Sequence, residues 1–361
     1  SLSEAMRQDP EYYKNMYNKL DYNANENQPE SMLALNQALA FAGVEIKIDR
    51  NSYDFKVDGI KSEIEFEPVF EIIYLSYNKD IDKDIDIDKN LYLTNCRNVI
   101  RCGEDVKFKV IETSDALDNN FLNICLNIVT QIDLGKNSVC NYLQYNNKKN
   151  NKINYVHYLQ VLQAENSVCN AFNSDNVSQS LRAQRGNLNQ NNLLRCDVDI
   201  WLNETGARCQ INGVYSLLNN NVNNANKNTH HDHHIRVRHL ANNTYSDQCY
   251  HGAVSGKSVA VFNGEIIVPK GISGIESYQL NKNLLLDDKG VIYTKPELNI
   301  ETDDIKCAHG ASVGSLDEQA LYYLLSRGID KEQAQNMLIK AFLQAPANYT
   351  EYTCWKDVLI A

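Results

Sequence analysis

Two groups of side chains in this sequence have the types and spacing to do chemistry. The first is the run Thr229-His230-His231-Asp232-His233-His234, followed by His239 and His251. Imidazoles with a carboxylate form a borderline donor set that suits zinc or iron. The run leads into the alternating segment Ile235-Arg236-Val237. On such a strand adjacent histidines point to opposite faces, so only every second one can converge on a single ion. His233 and His239 are weaker metal candidates, and adventitious capture of divalent ions is the competing reading. The second group is Cys307-Ala308-His309, preceded by Asp303-Asp304 and followed by Gly310. Two residues apart on extended backbone, the thiol and the imidazole share a face. Such a pair can act as nucleophile and base or as ligands for a soft metal. The alternative is one buried cysteine beside a partly exposed histidine.

Other catalytic signatures are missing. The sequence has no Gly-x-x-x-x-Gly-Lys-Ser/Thr loop, no His-Glu-x-x-His and no Gly-x-Ser-x-Gly elbow. Gly252-Ala253-Val254-Ser255-Gly256-Lys257-Ser258 looks like a phosphate loop, but it is one residue short and no βαβ pattern surrounds it. The chain therefore reads as having no ATP site and no self-sufficient catalytic centre.

The elements that must position these groups are mostly strands. Val44–Ile48, Val106–Val110, Cys196–Leu202, Ile235–Val237 and Leu298–Ile300 alternate apolar and polar residues, the mark of half-buried strands. Several follow related lead-ins: Gly103-Glu104-Asp105, Gly135-Lys136-Asn137-Ser138 and Gly206-Ala207-Arg208. The tetrapeptide Ser-Val-Cys-Asn occurs twice, at 138–141 and 167–170. Turn, short strand and return at a spacing of roughly 20–40 residues is how a stacked β architecture looks in sequence. Few helical windows lie between residues 44 and 300, which disfavours alternating βαβ units. A β-sandwich would also give many short strands; a β-solenoid is favoured.

Helical patterns flank this region. Glu4 to Leu20 and Met32 to Ala42 read as short helices, broken at Asn23–Pro29. Leu316-Asp317-Glu318 opens a third, with Leu321, Leu324 and Leu325 on one face and a stop at Arg327-Gly328. Asp330 caps a fourth, carrying Ala334, Met337, Leu338, Ala341 and Phe342 and ending at Pro346. The stretches 79–89 (acidic), 146–152 and 219–228 (Asn-rich) read as solvated insertions or surface loops; the acidic one lacks the spaced ligands of a calcium loop.

Composition narrows the class further. The net charge of −11 makes nucleic acid or an anionic membrane surface an unsuitable partner for the chain as a whole. No run approaches the roughly 18–20 apolar residues of a membrane helix, and Ser1–Met6 shows no secretory signal. The 10 cysteines form no CxxC pair, so most read as small apolar core residues of a cytosolic chain whose thiols stay reduced.

The C-terminal third carries a resemblance. Ala260–Val268, Asn283–Leu286, Thr294–Ile300, Asp303–Gly314, Leu316-Asp317-Glu318 and Tyr322–Ile329 stand in an order that closely resembles the SufB/SufD family of iron–sulfur cluster assembly proteins. The likeness is dense over 196–343 and weaker upstream to about residue 31. Lys306–Ala311 looks like the SufD type, since SufB chains carry glutamates beside the corresponding histidine where this chain has Ala308 and Gly310.

The resemblance implies a mainly β fold: a right-handed parallel β-helix core over 31–311, a C-terminal helical domain over 312–361 and a short N-terminal helical remnant over 1–30. It implies a non-enzymatic scaffold working with SufB and the ATPase SufC. The C-terminal helices would dock SufC, with Asp317, Tyr323, Arg327 and Phe342 as interface candidates. Cys307 and His309 would face SufB, binding an iron–sulfur cluster or iron transiently. The pathway operates in the bacterial cytoplasm and in plastid stroma. Pairing of two copies through the β-helix end stays open, and a stand-alone metal-binding β-helix enzyme using His230–His234 is the alternative. The family usually has a longer N-terminal helical region, and the 79–89 insertion has no counterpart in it.

Overall fold

The computed structural model describes residues 45–48, 68–76, 92–116, 124–146, 153–175, 192–218 and 229–348. The helices expected at 4–20 and 32–42, and the acidic stretch 79–89, lie outside the described residues.

Sixteen strands are described. They are β1 (Glu45–Ile48), β2 (Val69–Ser76), β3 (Tyr92–Cys102), β4 (Lys107–Ala116), β5 (Ile124–Leu134), β6 (Val139–Asn146), β7 (Ile153–Gln163) and β8 (Val168–Asp175). They continue with β9 (Asn192–Leu202), β10 (Arg208–Leu217), β11 (Thr229–His239), β12 (Tyr245–Val254), β13 (Val259–Val268), β14 (Ile275–Leu285), β15 (Val291–Ile300) and β16 (Ile305–Gly314). Odd-numbered strands build one eight-stranded parallel sheet and even-numbered strands a second. The chain thus crosses from sheet to sheet at every turn, which is the path of a parallel β-helix; the solenoid reading holds.

The turn at one corner recurs because its backbone requires it. Asp105, Asn137, Asn166 and Asn243 adopt φ of 57°, 57°, 54° and 57°, and Gly206 and Gly274 take the equivalent place at 78° and 69°. Asn, Asp and Gly are the residues that enter the left-handed region at least cost. Each corner is tied to the next: Asp105 N–H donates to the Lys136 carbonyl (2.9 Å), Asn137 to Glu165 (2.9 Å) and Asn166 to Thr205 (3.0 Å). At Gly206 a Cβ would also meet the Asn166 side-chain amide, which would have to shift to admit it.

The two Ser-Val-Cys-Asn copies lie directly on one another: Val139 pairs with Val168, Cys140 with Cys169 and Asn141 with Asn170. The Asn170 side-chain amide donates to the Asn141 side-chain carbonyl (3.0 Å), continuing the ladder outside the sheet. Inward residues such as Phe108, Ile132, Leu159, Ile200, Val237 and Phe262 fill the space between the sheets and are fully buried. Burying such side chains is the main favourable contribution to the fold.

After β16 come two helices, α1 (Glu318–Ser326) and α2 (Lys331–Asn348). Asp317 caps α1, its carboxylate accepting from the backbone of Gln319 (2.8 Å) and Ala320 (3.1 Å), and Gly328 ends the turn at φ 82°. Asp330 caps α2 by accepting from Gln333 N–H (2.9 Å). Ile339 and Leu343 of α2 pack with Leu143, Phe172, Val214, Ala253 and Leu284 on the outer side of the even-numbered sheet. One expectation needs correction: α2 does not stop at Pro346 but runs through it to Asn348. Proline has no N–H for the carbonyl four residues back, here that of Phe342. That carbonyl instead accepts from His251 Nδ1 on β12 (2.8 Å), so the helix continues without an orphaned group. Among the described residues no helix is long and apolar enough to cross a membrane.

Candidate functional site

β16 is the terminal strand of the even-numbered sheet, bonded to β14 on one side and to no described strand on the other. Parallel register without slippage carries each inward position of the sheet onward to β16. Cys140, Cys169, Cys209, Ser246, Ser277 and Cys307 therefore form one column. Ile211, Gln248, Gln279 and His309 form the next. All members before β16 are buried, and Gln279 Nε2 donates to Gln248 Oε1 (2.9 Å). Cys307 and His309 thus share a face, as alternation required, roughly 7 Å apart along the strand. They are the residues at which the core columns meet the surface.

Their exposure differs. Cys307 is half-buried against Ile266, Val268 and Ile275, while His309 is exposed. Burial pushes the Cys307 thiol above its ordinary range. The thiol is therefore protonated at neutral pH, and a bound metal would have to displace that proton to take it as thiolate. Neighbouring Lys306 points outward to Glu276 (2.9 Å).

The histidine run is divided by its strand. His231, His233 and His239 are buried, whereas His230, Asp232 and His234 lie on the outer face. His233 stacks on Tyr215 with ring centres 4.9 Å apart and stands 6.3 Å from His231. Outside, Asp232 meets His234 Nε2 (2.8 Å) and Arg195 (2.8 Å). Burial alone would raise the Asp232 carboxyl, but His234 and Arg195 outweigh it and hold it below the usual carboxylate range. The run is not one donor set. His239 has both ring nitrogens engaged, Nδ1 by Thr244 Oγ1 (2.8 Å) and Nε2 by Ser246 Oγ (3.0 Å), and burial lowers its pKa to about 4. That leaves a neutral imidazole locked in the core with no lone pair for a metal. Among the described residues no three His, Cys, Asp or Glu side chains converge as a metal site.

The helix pair separates the remaining candidates. Tyr322 and Tyr323 are 74% and 57% exposed, and Arg327 stacks over the Tyr323 ring at 5.2 Å at the C-terminal end of α1, whose N-terminal end Asp317 caps. Phe342 faces the other way, stacked on His251 at 4.5 Å. It belongs to the joint with the β-helix and not to the exposed face.

A buried polar cluster went unrecognised in the sequence. Inside the coils, Glu112 accepts from Thr130 Oγ1 (2.6 Å) and the Tyr142 hydroxyl (2.8 Å) and lies 3.0 Å from His157 Nε2. Burial, with Glu112 adjacent, pushes the Tyr142 hydroxyl well above its ordinary range. Its signal was an acid at an inward position of the alternating run that continues from Val110.

The described molecule is thus a two-sheet parallel β-helix whose last coil presents a thiol and an imidazole, followed by a helix pair with an exposed aromatic face. The family described as SUF system FeS cluster assembly, SufBD core domain, matches residues 87–342, and the chain belongs to it. It is similar to the iron-sulfur cluster assembly protein SufD of Escherichia coli (strain K12), 44% identical over 97 residues, which is 27% of this chain and 23% of that protein. SufD of Bacillus subtilis (strain 168) is 38% identical over 98 residues, 27% of this chain and 22% of that one. A SufBD family protein of Mycobacterium leprae is 28% identical over 158 residues, 42% of this chain and 38% of its own length. The matched stretches thus span well under half of each relative.

Proposed function

We propose that this chain is a SufD-type scaffold subunit. It meets a SufB-like protein at its last coil, meets a SufC-like ATPase through its helix pair, and helps hold a nascent iron–sulfur cluster as cargo at the first of these joints. The observation that carries this reading is the placement of Cys307 and His309 on one face of the terminal strand, whose far edge pairs with no described strand. Thiolate and imidazole are established ligand types for iron and its sulfide clusters. Two donors fall short of a filled iron coordination sphere, and a partner coil stacked on β15 and β16 would bring the others.

The last coil is also where apolar side chains face water: Tyr293 is 61%, Val313 47% and Leu298 39% exposed. Exposed strand edges and apolar rows favour a further coil, from a SufB-like protein or from a second copy. Ala308 and Gly310 beside His309, together with relatives named SufD, favour the SufD type. The exposed Tyr322, Tyr323 and Arg327 surface has the aromatic and arginine content of a docking face. The chain then acts without catalysis of its own, ATP turnover residing in the partner, in a bacterial cytosol or a plastid stroma.

The test is co-expression with the SufB-like and SufC-like proteins of the same organism, followed by anaerobic cluster reconstitution. A ternary complex that builds cluster, and a His309→Ala complex that assembles but does not, is the expected pair of results. No association, or undiminished cluster in the variant, overturns the reading.

A further inference from the structure

His251 and Pro346 lie far apart in sequence but act on one atom. Pro346 is buried within α2 and cannot supply the N–H that the Phe342 carbonyl would receive in an uninterrupted helix. The His251 side chain, on the outer face of β12, points Nδ1 at that carbonyl from 2.8 Å and stacks its ring on the Phe342 ring at 4.5 Å. A carbonyl only accepts, so Nδ1 carries the proton. Nε2 is then a lone pair, buried and without a hydrogen-bond partner among the described residues. Burial, with Lys282 beside it, lowers the imidazole pKa against the opposing pull of the Phe342 carbonyl, which keeps this tautomer neutral.

We infer that His251 is a latch fixing the helix pair to the β-helix, and that Pro346 creates the acceptor it closes on. The placement gives the latch a purpose. α1 buries none of its own residues, and α2 holds to the coils through the half around Ile339, Phe342 and Leu343. The pair is a lever clamped at one end. From the clamp, His251 pairs with Lys282 on β14, and Lys282 with Ser312 on β16, the strand that carries Cys307 and His309. This deepens the scaffold reading and rests on it for the lever's use: a partner bound to α1 would work against this latch. The contact itself is a property of the chain alone.

Hydrogen exchange on the isolated full chain tests it. His251→Leu keeps the volume and removes the donor; α2 amides around Phe342 should exchange about tenfold faster, the scale of one lost hydrogen bond. Pro346→Ala restores a backbone N–H to the Phe342 carbonyl, so His251→Leu/Pro346→Ala should return to within about threefold of the wild type. His251→Asn, which retains a donor near the Nδ1 position, should exchange as the wild type does. Protection of β10 and β12 serves as the control that the coils remain folded. Unchanged α2 exchange in His251→Leu overturns the latch. Equal loosening with and without Pro346, or in His251→Asn, overturns it as well, because His251 would then act by packing alone. Failure of the partner pull-down leaves these results standing, so the two readings fail separately.

Discussion

Cys209 and Cys307 stand in the same column of the same sheet, yet the molecule treats them differently. Cys209 has a strand on either side, is 1% exposed, and has its thiol pushed well above the ordinary range by burial and by Cys169 beneath it. Cys307 has a described strand on one side only and is half-buried. The difference lies not in the residue or in its local backbone but in whether another coil follows. In a solenoid each coil contacts only its neighbours, so the coil where the described stack ends keeps one side without a stacked strand.

The largest effect that would sharpen this contrast comes from removing an interior ring. Phe262→Ala should destabilise the chain by about 3–5 kcal/mol in urea unfolding, as expected of a fully buried aromatic. Tyr293→Ala in the last coil should stay within about 0.5 kcal/mol. Comparable losses would mean that the last coil is as sealed as the rest.

Acid offers the next test. His239 has a folded-state pKa of about 4, below the unfolded value near 6.5, so the unfolded chain binds the proton first. Its contribution is intact above pH 6.5 and is lost as pH falls towards 4, about 3 kcal/mol across that window. His239→Gln should flatten that part of the stability-versus-pH curve. An unaltered slope would show that the interior histidine is not the proton-excluding group.

Thiol alkylation read out residue by residue compares the two cysteines directly. Cys307 should label in the native state, faster as pH rises. Cys140, Cys169 and Cys209 should be at least about a hundredfold slower, because a sealed thiol reacts only through opening of the coils. Equal rates would remove the distinction on which the site rests. The smallest effect concerns the helix pair. Asp317→Ala should cost about 1 kcal/mol, confined to α1 and visible as lost helicity and faster exchange there, with the coils unaffected.

Much of this is legible in the sequence. Alternation at Val106–Val110 and Cys196–Leu202 placed real strands, and the repeated Ser-Val-Cys-Asn marked positions that stack on each other. Asp317, Asp330 and Gly328 announced the helix ends because capping and positive φ are settled within a few residues. The shared face of Cys307 and His309 followed from the period of a strand. The division of the histidine run into inner and outer sets was legible as well, though not which set was inside.

What the tertiary structure alone decided depends on which side chains meet across a corner or from coil to coil. Alternation cannot say that His239 is clasped by Thr244 and Ser246, or that Glu112, Tyr142 and His157 meet between the sheets. Pro346 reads as a stop because local rules see only its missing donor, and the replacement comes from His251, 91 residues before Phe342. Phe342 looks like part of an exposed helical face until the even-numbered sheet lies beneath it. Local chemistry, set by backbone sterics and side-chain period, was determined by the sequence by itself. Burial, partnership and the end of the stack were decided by the fold, since each is a property of what lies across a contact and not of the residue that makes it.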